Sequence, residues 1–442
     1  MKRIPLFLLL LLLVLSSCGP HDNSSSSNTD GSSSSETNQG YAERIATMAD
    51  TGVAIGSDDK TDAQNATYDS QAPLGSASHP LSNSSFDYLE IVVFEQPIEV
   101  GDAYLFKVGD ATIVMDFGNY ASSSFSDSST YYNLLKNTYD AYLDDGHLDL
   151  LILTHPHSDH YGGYLALRAA VSSIDMIVDY GYYEYGGENY RTNIRDYYVG
   201  QDSEYHRIYD MVNGTNGGMK RTYVTSEVFI DWLDTGYYST NYNDGPVVDD
   251  LNVTCVTGIL SYRNFTYFFS GDLQDNPSGY YGGTGGSGET RLVQTNATNT
   301  DVFHTVTMMK APHHGSSKAS NNVLLNVLQP KLVTISAGAP FADTSYGGST
   351  GVCAGHPHYQ TLDRYLTKGA KRTVPKIYLN FVNGTTSFVT DGLSKVYMEG
   401  SPLRTNYEGT SYRGSITNNY GSTTDRYSDI QSTSWGQVCH GL

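Results

Sequence analysis

The sequence predicts an α/β sandwich, and three observations carry that prediction. The strand-like runs Leu89–Phe94, Ala103–Val108 and Thr112–Asp116 come first as a group. Strand-like runs then alternate with helical stretches, an order that fits two packed sheets better than one doubly wound sheet. The third observation is Thr154-His155-Pro156-His157-Ser158-Asp159-His160-Tyr161-Gly162-Gly163. It places three histidines and an aspartate directly after the buried run Leu148–Leu153, at the edge where a sheet delivers functional side chains.

From the start of the chain, Met1-Lys2-Arg3 is basic and Leu6–Leu15 is apolar over the length of a signal peptide, short for a membrane span. Leu15-Ser16-Ser17-Cys18 resembles a bacterial lipobox. Residues 1–17 are therefore expected to be a lipoprotein signal peptide, with Cys18 lipidated and the protein exported on that anchor. Residues 18–87 are rich in Ser, Asn, Asp and Gly. That composition buries too little apolar area to offset ordering, so the segment reads as a tether, with one short helix over Tyr41–Asp50.

The folded body is expected over 88–400. Gly109-Asp110 forms a hairpin turn between its second and third strands, and Tyr131–Leu143 is helical. The histidine loop follows, then a helix over Tyr161–Val171 and a strand at Met176–Val178. From about 180 to 243 the pattern weakens into tyrosines, glycines and charges, which reads as an insertion near the mouth of the site. Strands resume at Val253–Gly258 and Phe265–Phe269, the latter ending at Ser270-Gly271-Asp272. Tyr280–Gly288 is a glycine loop without phosphate-cradling features. Strands at Val306–Met309 and Leu332–Ser336 precede a helix over Tyr359–Lys368, and 401–442 is a polar tail.

Composition narrows the function. Formal charge is −21, and without Lys2 and Arg3 the chain has 24 basic residues against 47 acidic ones. Such a field repels phosphate backbones, which disfavours bulk nucleic-acid binding but not an enzyme that meets phosphate only at bound cations. Besides Cys18 there are Cys255, Cys353 and Cys439. Three cysteines outside the cytoplasm cannot all pair within one chain, so one disulfide and one buried thiol is the economical expectation.

The chemistry is concentrated in four places. On an extended loop His155 and His157 point the same way and can hold one cation, while Asp159 and His160 project from the following turn and can hold another. Asp272 ends a buried strand, and a carboxylate there can bridge two cations roughly 3.5–4 Å apart. In Lys310-Ala311-Pro312-His313-His314-Gly315-Ser316-Ser317, one histidine can complete the ligand set of the second cation while the other faces substrate; the sequence does not say which. In Gly355-His356-Pro357-His358, His356 suits a ligand, a general acid or a substrate contact, and helix capping would also explain either histidine. His206 is a weaker candidate in a stretch that reads as helical. The expected metal set is His155, His157, Asp159, His160, Asp272, His313 and His314. Asp159, His314 and His356 are candidate catalytic groups, and Lys310, Ser316 and His356 candidate substrate contacts.

These motifs, in this order, resemble the metallo-β-lactamase-fold hydrolases, and within them the branch containing the soluble domain of ComEC-type DNA-uptake proteins. The resemblance spans about Tyr88 to Gly392. It takes in Gly101-Asp102-Ala103, Met115-Asp116-Phe117-Gly118, the histidine loop, Ser270-Gly271-Asp272, His313-His314-Gly315-Ser316, Gly355-His356-Pro357-His358 and Asn383-Gly384-Thr385-Thr386. It implies an αββα sandwich holding two divalent cations, zinc first and manganese second. It further implies hydrolysis of phosphodiesters by a water activated between the cations. The acidic charge favours a small-molecule or cell-surface phosphodiester. A non-catalytic surface binding protein on the same scaffold, or a hydrolase of another ester, amide or lactam, is the alternative. The Tyr-rich stretch departs from the family pattern, and its rings could cage a quaternary ammonium or simply pack on one another. The chain has no membrane-spanning run for a DNA channel, so the transport role is not implied.

Overall fold

The computed structural model describes residues 52–55, 66–95, 100–118, 130–143, 145–181, 187–238, 250–276, 286–337, 356–358, 360–361, 364–365, 376–380 and 385–400, with residues 42, 45 and 46 before them. Cys18, Cys353, Cys439, residues 280–285 of the glycine loop and the 401–442 tail lie outside the described residues, so the lipidation and disulfide expectations are not addressed there.

The strands in chain order are β1 (Val53–Ala54), β2 (Leu89–Val93), β3 (Ala103–Val108), β4 (Ala111–Phe117), β5 (His147–Leu153) and β6 (Ser173–Asp179). Then come β7 (Glu204–Arg207), β8 (Arg221–Tyr223), β9 (Val228–Trp232), β10 (Gly258–Tyr262), β11 (Phe265–Phe269), β12 (Asp275–Asn276) and β13 (Gly286–Ser287). The last five are β14 (Met308–Lys310), β15 (Leu332–Ile335), β16 (Lys376–Leu379), β17 (Thr386–Thr390) and β18 (Lys395–Gly400). Nine of them form one sheet in the order β1-β18-β17-β2-β3-β4-β5-β6-β7, and seven form a second in the order β16-β15-β14-β11-β10-β9-β8. From β4 to β7, and from β11 to β16, neighbours run parallel.

The central strands read as unbroken apolar runs because both faces are covered. Successive side chains alternate between two cores. Along β5, Leu150 and Ile152 enter the core between the sheets, while Leu151 and Leu153 face an outer core with the helices Thr130–Tyr142 and Tyr164–Ala170. On the far side, Met308 and Leu332 point inward, while Met309 and Val333 meet the helices Gly288–Thr295 and Asn322–Leu328. Helix, sheet, sheet and helix layers are the αββα sandwich expected from the sequence.

Four local expectations give way to packing. The 18–87 tether is not wholly external. Val53 pairs with Val396, and in the 66–87 stretch the Leu81 and Ser82 amides donate to the carbonyls of Tyr223 and Val224, burying Leu81. The 180–243 stretch is likewise built into the sandwich, because β7 extends the first sheet while β8 and β9 complete the second. Tyr180, Tyr190 and Tyr198 are buried in the outer core, so these three form no open cage; 182–186 and 239–249 are outside the described residues.

The helix expected over Tyr161–Val171 is broken into Ser158–Tyr161 and Tyr164–Ala170, because Gly163 passes against the end of β4. A Cβ there would lie 1.9 Å from the Phe117 carbonyl. Val253 and Thr254 belong to a 3₁₀ turn, Leu251–Thr254, instead of a strand. The Asp250 carboxylate caps that turn by accepting from the Asn252 amide. No helix among the described residues is long and apolar enough to cross a membrane.

Candidate metal centre

The centre lies at the carboxyl ends of β4, β5, β11, β14 and β15, where parallel sheets leave room for ligands. β5 delivers the histidine loop, and Asp116 at the end of β4 fixes its start. The Asp116 carboxylate accepts the Thr154 amide at 2.8 Å and the Thr154 hydroxyl at 2.7 Å. His155 is fully buried, and its Nε2 lies 3.0 Å from His157 Nδ1. The short helix Ser158–Tyr161 then presents Asp159 and His160. The Asp102 amide ties this helix down by donating to the Asp159 carbonyl at 3.1 Å.

Asp272 follows β11 through Gly271, whose φ of +50° and whose hypothetical Cβ only 2.5 Å from Thr154 Oγ1 leave glycine as the residue that fits. Its two oxygens face different partners. Oδ1 is 3.1 Å from His160 Nε2 and 3.2 Å from His314 Nε2. Oδ2 is 3.7 Å from His155 Nε2 and 3.6 Å from His313 Nε2. Asp159 Oδ2, 3.2 Å from His314 Nε2, joins the first set. One carboxylate is therefore shared between a group of Asp159, His160 and His314 and a group of His155, His157 and His313. His314 lies with Asp159 and His160, and His313 on the side of the His155–His157 pair.

The paired histidines adopt left-handed backbone, with φ of +47° at His313 and +50° at His314. Such strain costs about 1–3 kcal/mol per residue and persists only when neighbours over-determine it. Here the His313 amide donates to the Gly271 carbonyl, His313 Nδ1–H donates to Gln274 at 2.7 Å, and His314 Nδ1–H donates to the Ser336 carbonyl at 2.8 Å. His160 Nδ1–H donates to Asp116 at 2.7 Å. In each case the outer nitrogen is engaged and Nε2 is left for the centre, so these hydrogen bonds fix how the imidazoles are oriented.

The donor set fits divalent cations. Among the described residues the buried His160 Nε2 and Asp272 Oδ1, though 3.1 Å apart, make no well-directed hydrogen bond, and two overlapping His/Asp groups here bring ligand atoms within 4.8 Å of one another. Burial alone would raise the Asp272 carboxyl, but the imidazoles of His314, His160 and His313 outweigh it and hold it well below the carboxylate range. Burial likewise opposes charge on His160, yet Asp272, Asp116 and Asp159 hold its pKa well above the usual value. His155 lies well below its ordinary range through burial and the neighbouring imidazoles, and His313 falls to about 4 for the same leading reason. Buried carboxylates here need positive charge, and metal ions would take the place of protons on His160 and His314.

The remaining sequence candidates divide. His356 faces the centre, its ring centroid 5.2 Å from that of His313 and 6.1 Å from that of His314. Lys310 does not fit the substrate-contact role. It is fully buried behind the ligands, its Nζ 2.6 Å from Asp102 and 3.8 Å from Asp272 Oδ1, and it donates to the Gly271 carbonyl at 2.6 Å. Ser316 is also buried; its hydroxyl accepts the Lys318 amide and its carbonyl accepts from Thr361, which shapes the turn instead of facing substrate. His206 lies on β7, not a helix, beside Glu204 and outside the cluster. His358 donates its amide to the Gly315 carbonyl.

Sequence reasoning assigned no role to Asp102, Asp116, Gln274 or Ser336. Asp102 Oδ1 lies 3.5 Å from His314 Nδ1 and Oδ2 3.7 Å from His160 Nδ1, so it backs both histidines from the outer side. The available signal was an acid embedded in, or abutting, an apolar strand run at both Asp102 and Asp116.

Comparison with known proteins agrees with this architecture. Residues 98–338, just over half of the chain, match the family model of the metallo-beta-lactamase superfamily. Among solved structures, the metallo-beta-lactamase fold protein YhfI from Bacillus subtilis is 12% identical, covering 57% of this chain and 86% of its own, with a TM-score of 0.33. A diphosphatase from the PhnP family is 10% identical over 56% of this chain and 86% of its own, TM-score 0.30. The short form of human tRNase Z is 13% identical over 50% of this chain and 77% of its own, TM-score 0.25. No curated protein matches the chain.

Proposed function

Because the chain belongs to the metallo-beta-lactamase superfamily of metal-dependent hydrolases, we propose that it is an exported, lipid-anchored phosphodiesterase working with two divalent metal ions, zinc first and manganese second. The observation that carries the binuclear reading is the two-sided Asp272, with His160 and His314 at one oxygen and His155 and His313 at the other. The phosphodiester reading rests on the order of motifs, which resembles that of the ComEC-like branch. The charge of −21 turns the substrate toward small or cell-surface diesters and away from long polyanions.

Two ions in such a site supply Lewis acidity, making a nucleophile of water near neutral pH and neutralising the charge that develops on phosphoryl oxygen. The protein's own groups position and insulate that chemistry. Asp116 and Ser336 hold His160 and His314 with Nε2 inward. Lys310 neutralises Asp102 behind the Asp272 carboxylate. His356, held neutral by burial and by the imidazoles of His313 and His314, offers a hydrogen bond to the substrate without adding charge.

The test is metal content per chain of the purified full-length protein, read beside hydrolysis of bis-p-nitrophenyl phosphate. Two ions at the centre with metal-dependent turnover support the proposal. Two ions without turnover overturn the phosphodiester reading in favour of another ester, amide or lactam. No metal after reconstitution with zinc and manganese overturns the hydrolase reading and favours a surface binding protein.

A further inference from the structure

At the opposite end of β5 from the histidine loop, a second group of metal-type donors converges. His147 and Asp149, two residues apart, share one face of β5. The register that pairs Leu148 with Ile174 and Leu150 with Met176 sets Asp175 of β6 beside Asp149. His147 Nε2 is 3.3 Å from Asp175 Oδ2 and 4.0 Å from Asp149 Oδ1, and one ligand atom from each residue lies within 4.8 Å of the other two. A tetrahedral zinc with bonds of about 2.0–2.2 Å has ligand–ligand edges of roughly 3.3–3.6 Å. His147 and Asp175 already stand at that spacing, and the His147–Asp149 separation exceeds it by about 0.4 Å.

Three further features distinguish this group from a surface ion pair. Asp149 is buried at 4% exposure; its Oδ2 takes both the Thr112 amide and the Thr112 hydroxyl, while among the described residues Oδ1 receives no hydrogen bond and points toward His147. His147 Nδ1 lies 3.0 Å from the Ser173 hydroxyl, an outer partner that leaves Nε2 turned toward the carboxylates. His147 and Asp149 also line a cavity of about 430 Å³ that carries the carboxylates of Asp110 and Asp145 and the ammonium of Lys107, the latter donating to the Tyr142 carbonyl at 3.1 Å. Carboxylates side by side on neighbouring strands repel one another unless a cation stands between them.

We propose that His147, Asp149 and Asp175 form a third, separate site for a divalent transition-metal ion, of the zinc or manganese type, with water from the cavity completing its shell. One imidazole with two carboxylates is a borderline donor set that suits these ions. The site lies about eight residues of strand and loop, roughly 26 Å of extended chain, from His155. It therefore cannot belong to the centre around Asp272. Bound there, the ion pins the start of β5 to β6 and leaves open positions facing the cavity.

The experiment counts zinc on the full chain, purified in detergent and equilibrated by dialysis at fixed free zinc, using elemental mass spectrometry. The quantity read is the difference between variants, so it holds however many ions the Asp272 centre takes. His147→Ala combined with Asp175→Asn is expected to bind one ion fewer than the unaltered chain. Asp272→Asn is expected to keep an ion that is lost when the His147 and Asp175 changes are added. Asp175→Asn alone, a near-isosteric change at a partly exposed position, covers the case in which the double variant is unstable. Its zinc dissociation constant at this site should rise at least tenfold. Equal zinc counts in the unaltered and double-variant chains, or an unchanged constant for Asp175→Asn, would overturn the proposal.

Discussion

At the scale of single residues, the centre depends as much on groups that never meet a metal as on those that do. Asp116 holds both Thr154 and His160. Asp116→Ala should therefore weaken metal binding about 10–100-fold, measured by competition with a chromophoric chelator. Lys310→Met should do different damage, because it strands the buried Asp102 carboxylate without its ammonium partner. A loss of about 3–5 kcal/mol in denaturant unfolding is expected, the cost of breaking a buried pair from one side. The metal-facing residues were legible in the sequence because ligand chemistry demands particular residue types at short spacings, as in His155 to His160. Lys310 was misread because a lysine beside two histidines suggests substrate contact, and only tertiary packing shows it lying behind them. Asp102 and Asp116 had no assigned role because partners 38 to 212 residues away leave no local mark.

At the scale of elements, close approaches govern what each segment can become. Gly163 passes so near the Phe117 carbonyl that Gly163→Ala must shift either β4 or the break between the two helices. A loss of about 1–3 kcal/mol is expected in thermal or denaturant unfolding. Glu289, in the helix Gly288–Thr295, accepts the amides of Ser320 and Asn321, and its burial raises its carboxyl from 4.5 to about 8. The folded chain then holds a proton that the unfolded chain releases, so this group makes stability fall as pH rises from about 4.5 to about 8. Glu289→Gln should flatten that slope, by at most about 1.4 kcal/mol per pH unit, in unfolding measured from pH 5 to 8 with chelator present. Strands β2 to β6 and β11 were readable because two-sided burial makes them dense apolar runs. The strands β7 and β8 were not, since short edge strands carry polar residues such as Glu204, His206 and Arg221. The β-branched run at Val253 looked like a strand until the Asp250 cap turned its start into a 3₁₀ turn.

At the scale of the whole molecule, the proposed function and the charge of −21 together predict that the negative field sorts substrates. Cleavage of long polyanionic diesters should speed up with added salt as repulsion is screened, while small zwitterionic diesters should respond little, compared as kcat/KM between low and physiological ionic strength. The sandwich itself was legible from the order of strands and helices. What stayed hidden was how much of the 18–87 and 180–243 stretches it recruits, because their polar composition outweighs isolated anchors such as Val53, Leu81 and Tyr190. The centre draws on both sheets, from Asp102 through His155 and Asp272 to His314 and the Ser336 carbonyl, so no stretch of chain holds it alone. Partly assembled molecules consequently have little grip on the ions, and loading marks the moment the two halves have docked. Occupancy would then serve as a certificate of completed folding, and a metal-starved chain is expected to unfold more readily than a loaded one.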